Sequence, residues 1–358
     1  SNVLTTTEIM KYAFLLIAVC AVVLYVVHFI KNKRYKSVVR ILLAGVLVAV
    51  IPFGATIVNI LSPGTYFHLL MRLPWALFFI FAVLLAEKLD FEGKKVYYER
   101  HGDKGRPLVV LNGLMMSTTS WKPFVEDFSR NNQLVLVDFL DQGRSSRMSE
   151  SYYHDVQIRL VDALLDELGW EKAVIMGLSY GGNVAIQYAL AHPERVWRLI
   201  LANSGCRTSP WLQKIGDGWN EVAASGSGLA YYLTTIPTIY STRFFEENAA
   251  WMDSREATLT EYFSDPEVLA RLSRLTASSR PFNVSDRLGE ITCPTLILSG
   301  SEDNLVPVTE QQMLRDGIRG SSHVILSGSG HATMYEYPSA FAALVVGFAN
   351  LGDDGIAI

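Results

Sequence analysis

The sequence predicts an α/β fold, a mostly parallel sheet flanked by helices, preceded by about three transmembrane helices. From about residue 88, short apolar runs alternate with amphipathic helical segments, a pattern typical of a parallel sheet. Before that point the apolar residues form long unbroken runs. The mean hydropathy of +0.22 is high for a water-soluble enzyme, and most of the excess lies before residue 90. We therefore divide the chain into a transmembrane module, residues 1–88, and an α/β domain, residues 89–358.

Three apolar stretches are long enough to cross a bilayer, residues 12–30, 38–61 and 66–86. Basic residues follow the first stretch, and such a cluster is normally held on the cytoplasmic side. Three spans then predict a multi-pass integral membrane protein that contacts lipid and has a cytoplasmic α/β domain. Arg72, near the start of the third stretch, leaves open that this stretch is a surface helix, which would reverse the placement of the domain.

Charge and cysteine content argue against several kinds of partner. The formal net charge is −4, and the later part of the chain has no basic patch with interleaved aromatic residues, so no nucleic acid partner is expected. Cys20, Cys206 and Cys293 are widely spaced and odd in number, which argues against a disulfide framework or a zinc site. The sequence therefore predicts free thiols and no metal, and it leaves the oligomeric state open.

The α/β domain contains predicted strands at residues 95–100, 107–111, 133–138, 173–176, 199–202, 295–299 and 323–326. Predicted helices lie at residues 121–131, 151–168, 183–190 and 338–351. Residues 207–287 break this alternation with aromatic-rich helical segments. An insertion at this point predicts a helical cap over a pocket, although its aromatic residues could equally form a small core of their own.

A nucleophile-elbow motif joins one predicted strand to the next helix. The motif is Gly177-Leu178-Ser179-Tyr180-Gly181-Gly182, between the apolar run 173–176 and the helix-forming run 183–190. Glycines on both sides of Ser179 allow the sharp turn that lifts a serine hydroxyl out of a sheet. The bare pattern is a common accident, but its position between a strand and a helix favours a catalytic serine.

A catalytic serine needs a base within hydrogen-bond distance, and the base needs an anion that orients it. Asp303 and His331 each follow a predicted strand, so both side chains should emerge at the carboxyl edge of the sheet. Glu302 is an alternative acid one residue away. Among the other histidines, His192 ends the elbow helix and His323 lies within a strand, so we prefer His331 as the base.

Residues from about 90 to 351 resemble an α/β-hydrolase-fold protein with a helical cap between its sixth and seventh strands. The resemblance rests on the elbow at Ser179, the pairs Gly300-x-x-Asp303 and Gly330-His331, and the Cys293-Pro294-Thr295 lead into a strand. Serine, acid and histidine also follow one another in the order of that family. The resemblance implies Ser179 as nucleophile, His331 as general base and then acid, and Asp303 as the orienting carboxylate.

An oxyanion hole of two backbone N–H groups is expected beside such a serine. The predicted donors are Tyr180, at the start of the elbow helix, and Leu114, in the loop after the strand 107–111. The chain departs from the family pattern in two places. Asn112-Gly113 replaces the usual His-Gly, and Asp141 stands where a glycine is usual.

These observations predict a membrane-anchored serine hydrolase that cleaves carboxylic esters through an acyl-enzyme intermediate, without a metal or organic cofactor. The predicted membrane helices and the aromatic cap favour a lipid-like acyl substrate, such as a monoacylglycerol or lysophospholipid. A thioesterase, lactonase, amidase or acyltransferase would use the same residues, and some proteins of this fold act on C–C bonds or with oxygen. The alternative of another class is a non-catalytic membrane scaffold with a relic hydrolase domain.

Overall fold

The computed structural model describes residues 88–352. The three predicted membrane spans, residues 12–30, 38–61 and 66–86, lie outside these residues. Within the described part of the chain, no helix combines the length and the apolar character that a bilayer crossing requires. Cys206 and Cys293 are free thiols, and Cys20 lies outside the described range.

An eight-stranded sheet runs through the described residues in the order β1-β2-β4-β3-β5-β6-β7-β8. Strand β2 pairs antiparallel with both β1 and β4, and the remaining neighbours are parallel. The predicted α/β class with a mostly parallel sheet is therefore confirmed. The strands are β1 (Lys88–Phe91), β2 (Lys94–His101), β3 (Arg106–Leu111), β4 (Asn132–Val137), β5 (Ala173–Leu178), β6 (Val196–Ala202), β7 (Thr295–Gly300) and β8 (Ser322–Leu326).

The central strands are apolar on both faces because helices cover both sides of the sheet. In β3, Val109 and Leu111 point into one hydrophobic cluster, whereas Leu108 and Val110 point into the other. All four side chains are fully buried. This alternation follows from the two-residue period of a strand, and it explains why the parallel strands appear in the sequence as continuous apolar runs.

The helices are α1 (Val125–Ser129), α2 (His154–Leu168), α3 (Tyr180–Ala191), α4 (Pro210–Ala224), α5 (Gly228–Thr235), α6 (Thr242–Glu247), α7 (Ala249–Phe263), α8 (Pro266–Ser278), α9 (Val308–Gly317), α10 (Thr333–Glu336) and α11 (Pro338–Ala349). Short 3-10 helices lie at Thr118–Phe124, Pro193–Arg195 and Ser285–Glu290. Helices α1 and α11 contribute to the cluster on one face of the sheet, and α2, α3 and α9 contribute to the cluster on the other.

Helices α4 to α8 form the connection between β6 and β7, and we call them the cap. Part of the cap packs on itself: the rings of Tyr231 and Phe263 meet edge to face, 4.9 Å apart, and the Tyr232 hydroxyl donates to the Met252 carbonyl. Other cap aromatics, including Trp219 and Tyr240, line a cavity between the cap and the sheet. The aromatic residues of the cap therefore both form a small core of their own and cover a pocket, the two roles that the sequence left open.

The structure differs from the sequence prediction in two local details. The helix predicted for residues 121–131 is helical through Ser129, but its first part belongs to the 3-10 helix Thr118–Phe124, which contains Pro123, and only Val125–Ser129 is the α-helix α1. Strand β1 was not predicted at all. It is a four-residue edge strand with alternating exposed and buried residues, paired only to β2, and its sequence directly follows the long apolar runs.

Candidate active site

The chain turns sharply at Ser179, between β5 and α3. Ser179 has φ 52° and ψ −115°, a backbone conformation that is strained for a residue with a side chain. Glycines make the turn possible. A Cβ at Gly177 would overlap the Gly181 carbonyl, and a Cβ at Gly181 would overlap the Leu111 carbonyl of the neighbouring strand. The tight contacts leave the Ser179 side chain at the carboxyl edge of the sheet.

Ser179, His331 and Asp303 form a continuous hydrogen-bonded chain. The Ser179 Oγ lies 2.9 Å from Nε2 of His331, and Nδ1 of His331 lies 2.8 Å from Oδ2 of Asp303. A carboxylate accepts hydrogen bonds, so Nδ1 carries the ring proton and Nε2 is left to accept from the serine hydroxyl. Asp303 and His331 are only 4% and 6% exposed, which keeps water from competing for these bonds.

The Asp303 carboxylate is held by four further donors. Its Oδ1 accepts from the backbone N–H groups of Leu305 (3.0 Å) and Val306 (2.9 Å). Its Oδ2 accepts from the side-chain amides of Asn203 (3.0 Å) and Gln311 (3.2 Å). Since both oxygens are fixed, the carboxylate cannot rotate away from the histidine ring.

Asn203 and Gln311 were not identified from the sequence as site residues. Asn203 directly follows β6 with φ 47°, and asparagine is among the residues that tolerate this left-handed region. Its Oδ1 accepts from the Thr333 hydroxyl at 2.7 Å, which orients the amide so that its nitrogen faces Asp303. The position of Asn203 immediately after a buried strand is the sequence feature that could have identified it as a site residue. Gln311 lies inside α9, where its position in the sequence gives no such indication.

The alternative acid and bases lie elsewhere. Glu302 is exposed and makes no ion pair with a histidine among the described residues, whereas Asp303 is buried against His331. His192 stacks on Tyr188, with ring centroids 4.9 Å apart. The ring of His323 bonds to Ser299 Oγ through Nε2, at 2.7 Å, and burial lowers its pKa, with Arg315 acting in the same direction.

Both predicted oxyanion donors lie at the same cavity as Ser179. Tyr180 is the first residue of α3, so its N–H has no acceptor within the helix. Leu114 lies in the turn after β3. Neither N–H has a hydrogen-bond acceptor within residues 88–352. These two donors are free to bind an oxygen atom that carries negative charge, which is the arrangement an oxyanion hole requires.

The first departure from the family pattern has a structural explanation. Asn112 is fully buried, its Oδ1 accepts from the indole N–H of Trp121 at 2.7 Å, and its Nδ2 donates to the Val137 carbonyl at 2.8 Å. Nδ2 also donates to Oε1 of Gln142, whose own Nε2 donates to the Gly113 carbonyl at 2.8 Å. Asn112 and Gln142 together fix the peptide planes of the loop that carries Leu114.

Asp141, the second residue that departs from the family pattern, connects the cap to the rest of the domain. Asp141 has φ 68°, a conformation that explains why a glycine is usual there. Its side chain is fully buried and accepts two hydrogen bonds from Arg274 of α8, at 2.8 and 3.0 Å. Oδ1 also accepts from the backbone N–H of Met148 at 3.0 Å. The aspartate therefore gains a cap contact that a glycine could not make.

A cavity of about 220 Å³ lies between the cap and the carboxyl edge of the sheet, and both Ser179 and His331 line it. The loop 113–116 forms one wall, with two methionines and a leucine. Cap side chains form the opposite wall, and most of them are apolar, including Leu212, Trp219, Ile236 and Phe263. The charged lining residues are Arg255, Arg280 and Asp217, of which the last two pair with each other.

The fold, the elbow and the hydrogen-bonded serine agree with a comparison against known families. A family model described as the alpha/beta hydrolase family matches residues 108–344, more than half of the chain. The chain belongs to the alpha/beta hydrolase family. The matched range contains Ser179, Asp303 and His331.

Three proteins illustrate the range of this hydrolase's relatives. The crystal structure of MGS-M2, an alpha/beta hydrolase enzyme from a Medee basin deep-sea metagenome library, is 43% identical, with a TM-score of 0.75, over 76% of this chain and 100% of that one. RutD of Azorhizobium caulinodans, which carries the name of a carbamate hydrolase, is 28% identical over 71% of this chain and 95% of its own length. A 2-hydroxy-6-oxononadienedioate/2-hydroxy-6-oxononatrienedioate hydrolase of Paraburkholderia xenovorans is 28% identical over 71% of this chain and 90% of its own length.

Proposed function

We propose that this alpha/beta hydrolase is a serine hydrolase that cleaves carboxylic esters through an acyl-enzyme intermediate. The observation that carries the proposal is the hydrogen-bonded chain from Ser179 through His331 to Asp303 at the floor of a cavity. Ser179 acts as the nucleophile, His331 as general base and then acid, and Asp303 orients the histidine. The backbone N–H groups of Leu114 and Tyr180 bind the oxyanion.

The reaction follows from these positions in two halves. His331 Nε2 takes the Ser179 proton as Oγ attacks the substrate carbonyl. The negative charge that develops on the carbonyl oxygen is stabilised by hydrogen bonds from the two backbone N–H groups. The protonated histidine then gives its proton to the leaving alcohol as the C–O bond breaks. Water repeats the sequence on the acyl-enzyme, which releases the carboxylic acid and restores the serine.

The cavity supports a compact substrate. Its volume of about 220 Å³ lies below the ~300–1,000 Å³ of sites that hold drug-sized ligands. We therefore expect short acyl groups to be cleaved faster than the long chains of the monoacylglycerols and lysophospholipids suggested by the sequence. A series of 4-nitrophenyl esters from acetate to palmitate tests this, and a maximum in kcat/KM at long chains would restore the lipid hypothesis.

The proposed membrane attachment rests on the sequence of residues 12–30, 38–61 and 66–86 alone. Fractionation of cells that express the full chain tests it. We expect the protein in the membrane fraction after a carbonate wash at high pH, and its release by that wash would contradict integral insertion. Protease accessibility of residues 89–358 in sealed spheroplasts then tests the cytoplasmic placement of the hydrolase domain.

Other carbonyl substrates share the first half of this mechanism. The names of the relatives refer to a carbamate and to 2-hydroxy-6-oxononadienedioate, and the same serine could attack a carbonyl carbon of either compound. A substrate panel of esters, thioesters, lactones, carbamates and 2-hydroxy-6-oxononadienedioate separates these reactions. We expect the highest kcat/KM on esters, and a preference of tenfold or more for another class would replace the ester proposal.

A fluorophosphonate probe tests the nucleophile directly, because only an activated serine reacts with it. We expect the purified full chain to be labelled and Ser179→Ala to be unlabelled and inactive. Ser225→Ala, which removes an exposed cap hydroxyl that bonds to the Val222 carbonyl and the Ser227 N–H, is the matched control and should be labelled like the wild type. Failure of the folded wild type to react would identify a relic domain instead of an enzyme.

A further inference from the structure

Arg255 of the cap is a charged side chain in the cavity that has no charged partner among the residues that the structure describes. It lies in the middle of α7, and its guanidinium stacks over the ring of Trp251, 4.7 Å from the ring centre. The ring of Tyr335, four residues after His331, lies 5.6 Å from the same guanidinium. Two aromatic rings therefore hold the cation in the cavity that His331 also lines.

The edge of this guanidinium has unused hydrogen-bonding capacity. Its Nε is buried and has no hydrogen-bond acceptor within residues 88–352. Neither Asp253 nor Glu256, its acidic neighbours on α7, forms an ion pair with it in the described part of the chain. Aromatic rings attract the face of a guanidinium, but they cannot accept along the N–H edge as an oxygen does.

Other arginines of the cap contrast with this one. Arg243 pairs with Glu247, Arg274 with Asp141 and Arg280 with Asp217. Of the cavity-lining cations Arg255 and Arg280, only Arg255 lacks an internal anion in residues 88–352. A buried donor without an acceptor is unfavourable unless a ligand supplies one.

We propose that Arg255 binds a carboxylate group of the substrate, so that the natural substrate is a compact anionic ester. The inference rests on the proposed ester hydrolysis at Ser179. A guanidinium presents parallel N–H groups that match the two oxygens of a carboxylate, and the aromatic rings keep this edge in a fixed orientation. A phosphate dianion would need a second cation, and the neighbouring Arg280 is already paired with Asp217.

Matched ester pairs test the proposal. The first pair is the 4-nitrophenyl hemiester of glutaric acid and 4-nitrophenyl pentanoate, in which the charge lies on the acyl group. The second pair is the butyryl ester of 4-hydroxybenzoate and phenyl butyrate, in which the charge lies on the leaving group. We expect the wild type to prefer the anionic member of one pair by about 30-fold or more in kcat/KM, in line with hydrogen bonds to a charged group.

Variants of Arg255 assign this preference to the residue. Arg255→Gln should lower kcat/KM for the anionic ester about 30-fold and change the neutral ester less than about threefold. Arg255→Lys should retain part of the preference, because a lysine keeps the charge but loses the fork of donors. The matched control is Arg243→Gln, the same substitution at an exposed cap arginine, and it should leave the preference intact.

Two further readouts separate the possible failures. Labelling by the fluorophosphonate should be equal in the wild type and in Arg255→Gln, which shows that the variant is folded and that its serine is reactive. Glutarate should inhibit the wild type competitively and should not inhibit Arg255→Gln. Labelling and neutral-ester hydrolysis without any anionic preference would overturn the assignment of Arg255. Absence of labelling in the wild type would overturn the proposed function itself.

Discussion

The ring of His154 meets the ring of Tyr180 at 90°, with the two centroids 4.8 Å apart. His154 is the first residue of α2, and Tyr180 directly follows the proposed nucleophile. The Gln187 amide donates to Nδ1 of His154 at 2.7 Å, so the ring proton lies on Nε2. Nε2 is buried and has no hydrogen-bond partner in residues 88–352. The charge of Asp155 favours the protonated ring of His154, but burial opposes it more strongly.

Acid should therefore destabilise the fold through His154. Burial lowers the pKa of His154 from 6.5 to about 4 in the folded state. The unfolded chain binds this proton more readily, so the stabilisation is complete above pH 6.5 and is lost as the pH falls toward 4. The free energy of unfolding should decrease by about 3 kcal/mol over this range, since each pKa unit corresponds to about 1.36 kcal/mol. Urea unfolding between pH 4 and 7 measures it.

The variant His154→Gln isolates this effect. A glutamine can still accept from Gln187 but does not titrate. The free energy of unfolding should therefore fall between pH 6.5 and pH 4 by about 3 kcal/mol less than in the wild type. Half-buried His101, whose ring lies 3.1 Å from Glu99, is the control site. An unchanged slope in His154→Gln would show that other groups cause the acid sensitivity.

The pair formed by Asp141 and Arg274 should contribute strongly to cap stability. Asp141→Ala leaves Arg274 with only the longer contact to Glu267, at 3.8 Å, among the described carboxylates, and loss of one partner of a buried pair destabilises by about 3 kcal/mol. Asp141→Gly should be less harmful, because glycine relieves the left-handed backbone at this position. Urea unfolding and limited proteolysis of the cap are the measurements.

Arg280→Ala is the control for that pair. Its partner Asp217 forms an exposed ion pair, so the change should be below about 1 kcal/mol. Equal destabilisation by Arg274→Ala and Arg280→Ala would mean that the buried pair has no special role in holding the cap.

Gln311 should act as a positioning residue for Asp303. Gln311→Leu removes the bond from Nε2 to Asp303 Oδ2, together with the bonds to the Val306 carbonyl and from the Ser299 hydroxyl, and leaves an apolar side chain of similar size. We expect kcat to fall about tenfold, since one hydrogen bond to a charged group is lost, with KM nearly unchanged. Gln133→Leu, at an exposed amide bonded to the Gly105 carbonyl, should have no effect on kcat. A rise in KM alone would argue against a role in orienting the carboxylate.

The elbow should not tolerate a side chain at Gly182. A Cβ there would overlap Oγ of Ser204, and the strained turn has no space in which to move. Gly182→Ala should therefore destabilise the domain by about 1–3 kcal/mol and slow labelling of Ser179. Gly218→Ala is the opposite case, because it lies in α4 with no atom within 4 Å of the new Cβ. That variant should be neutral or up to ~1 kcal/mol more stable.

Much of the sheet could be predicted because its signals are local. Buried parallel strands such as β3 and β5 are continuous apolar runs, and the elbow motif fixes the start of α3. The positions of Asp303 and His331 after successive strands were enough to predict that they meet Ser179. Strand β1 was not predicted because a short edge strand has little apolar pattern, and the sequence did not show that the predicted helix 121–131 would begin as a 3-10 helix.

The remaining site features depend on residues far apart in the chain. Asp141 looked like a departure from the family pattern because its partner, Arg274, is 133 residues away. The contacts of Gln311 and Asn203 with Asp303 could not be predicted for the same reason, because no sequence motif marks an amide that only the folded chain brings to the carboxylate. The sequence also does not show that Arg255 lacks an ion-pair partner within residues 88–352, because Asp253 and Glu256 lie close to it in the chain.

The serine and histidine of the proposed site are 152 residues apart in the chain. During synthesis, a ribosome makes the elbow long before it makes His331, and the Ser179 hydroxyl remains an ordinary alcohol throughout that interval. In the proposed mechanism the growing polypeptide therefore cannot attack an ester, and Ser179 becomes reactive only when β7 and β8 have joined the sheet.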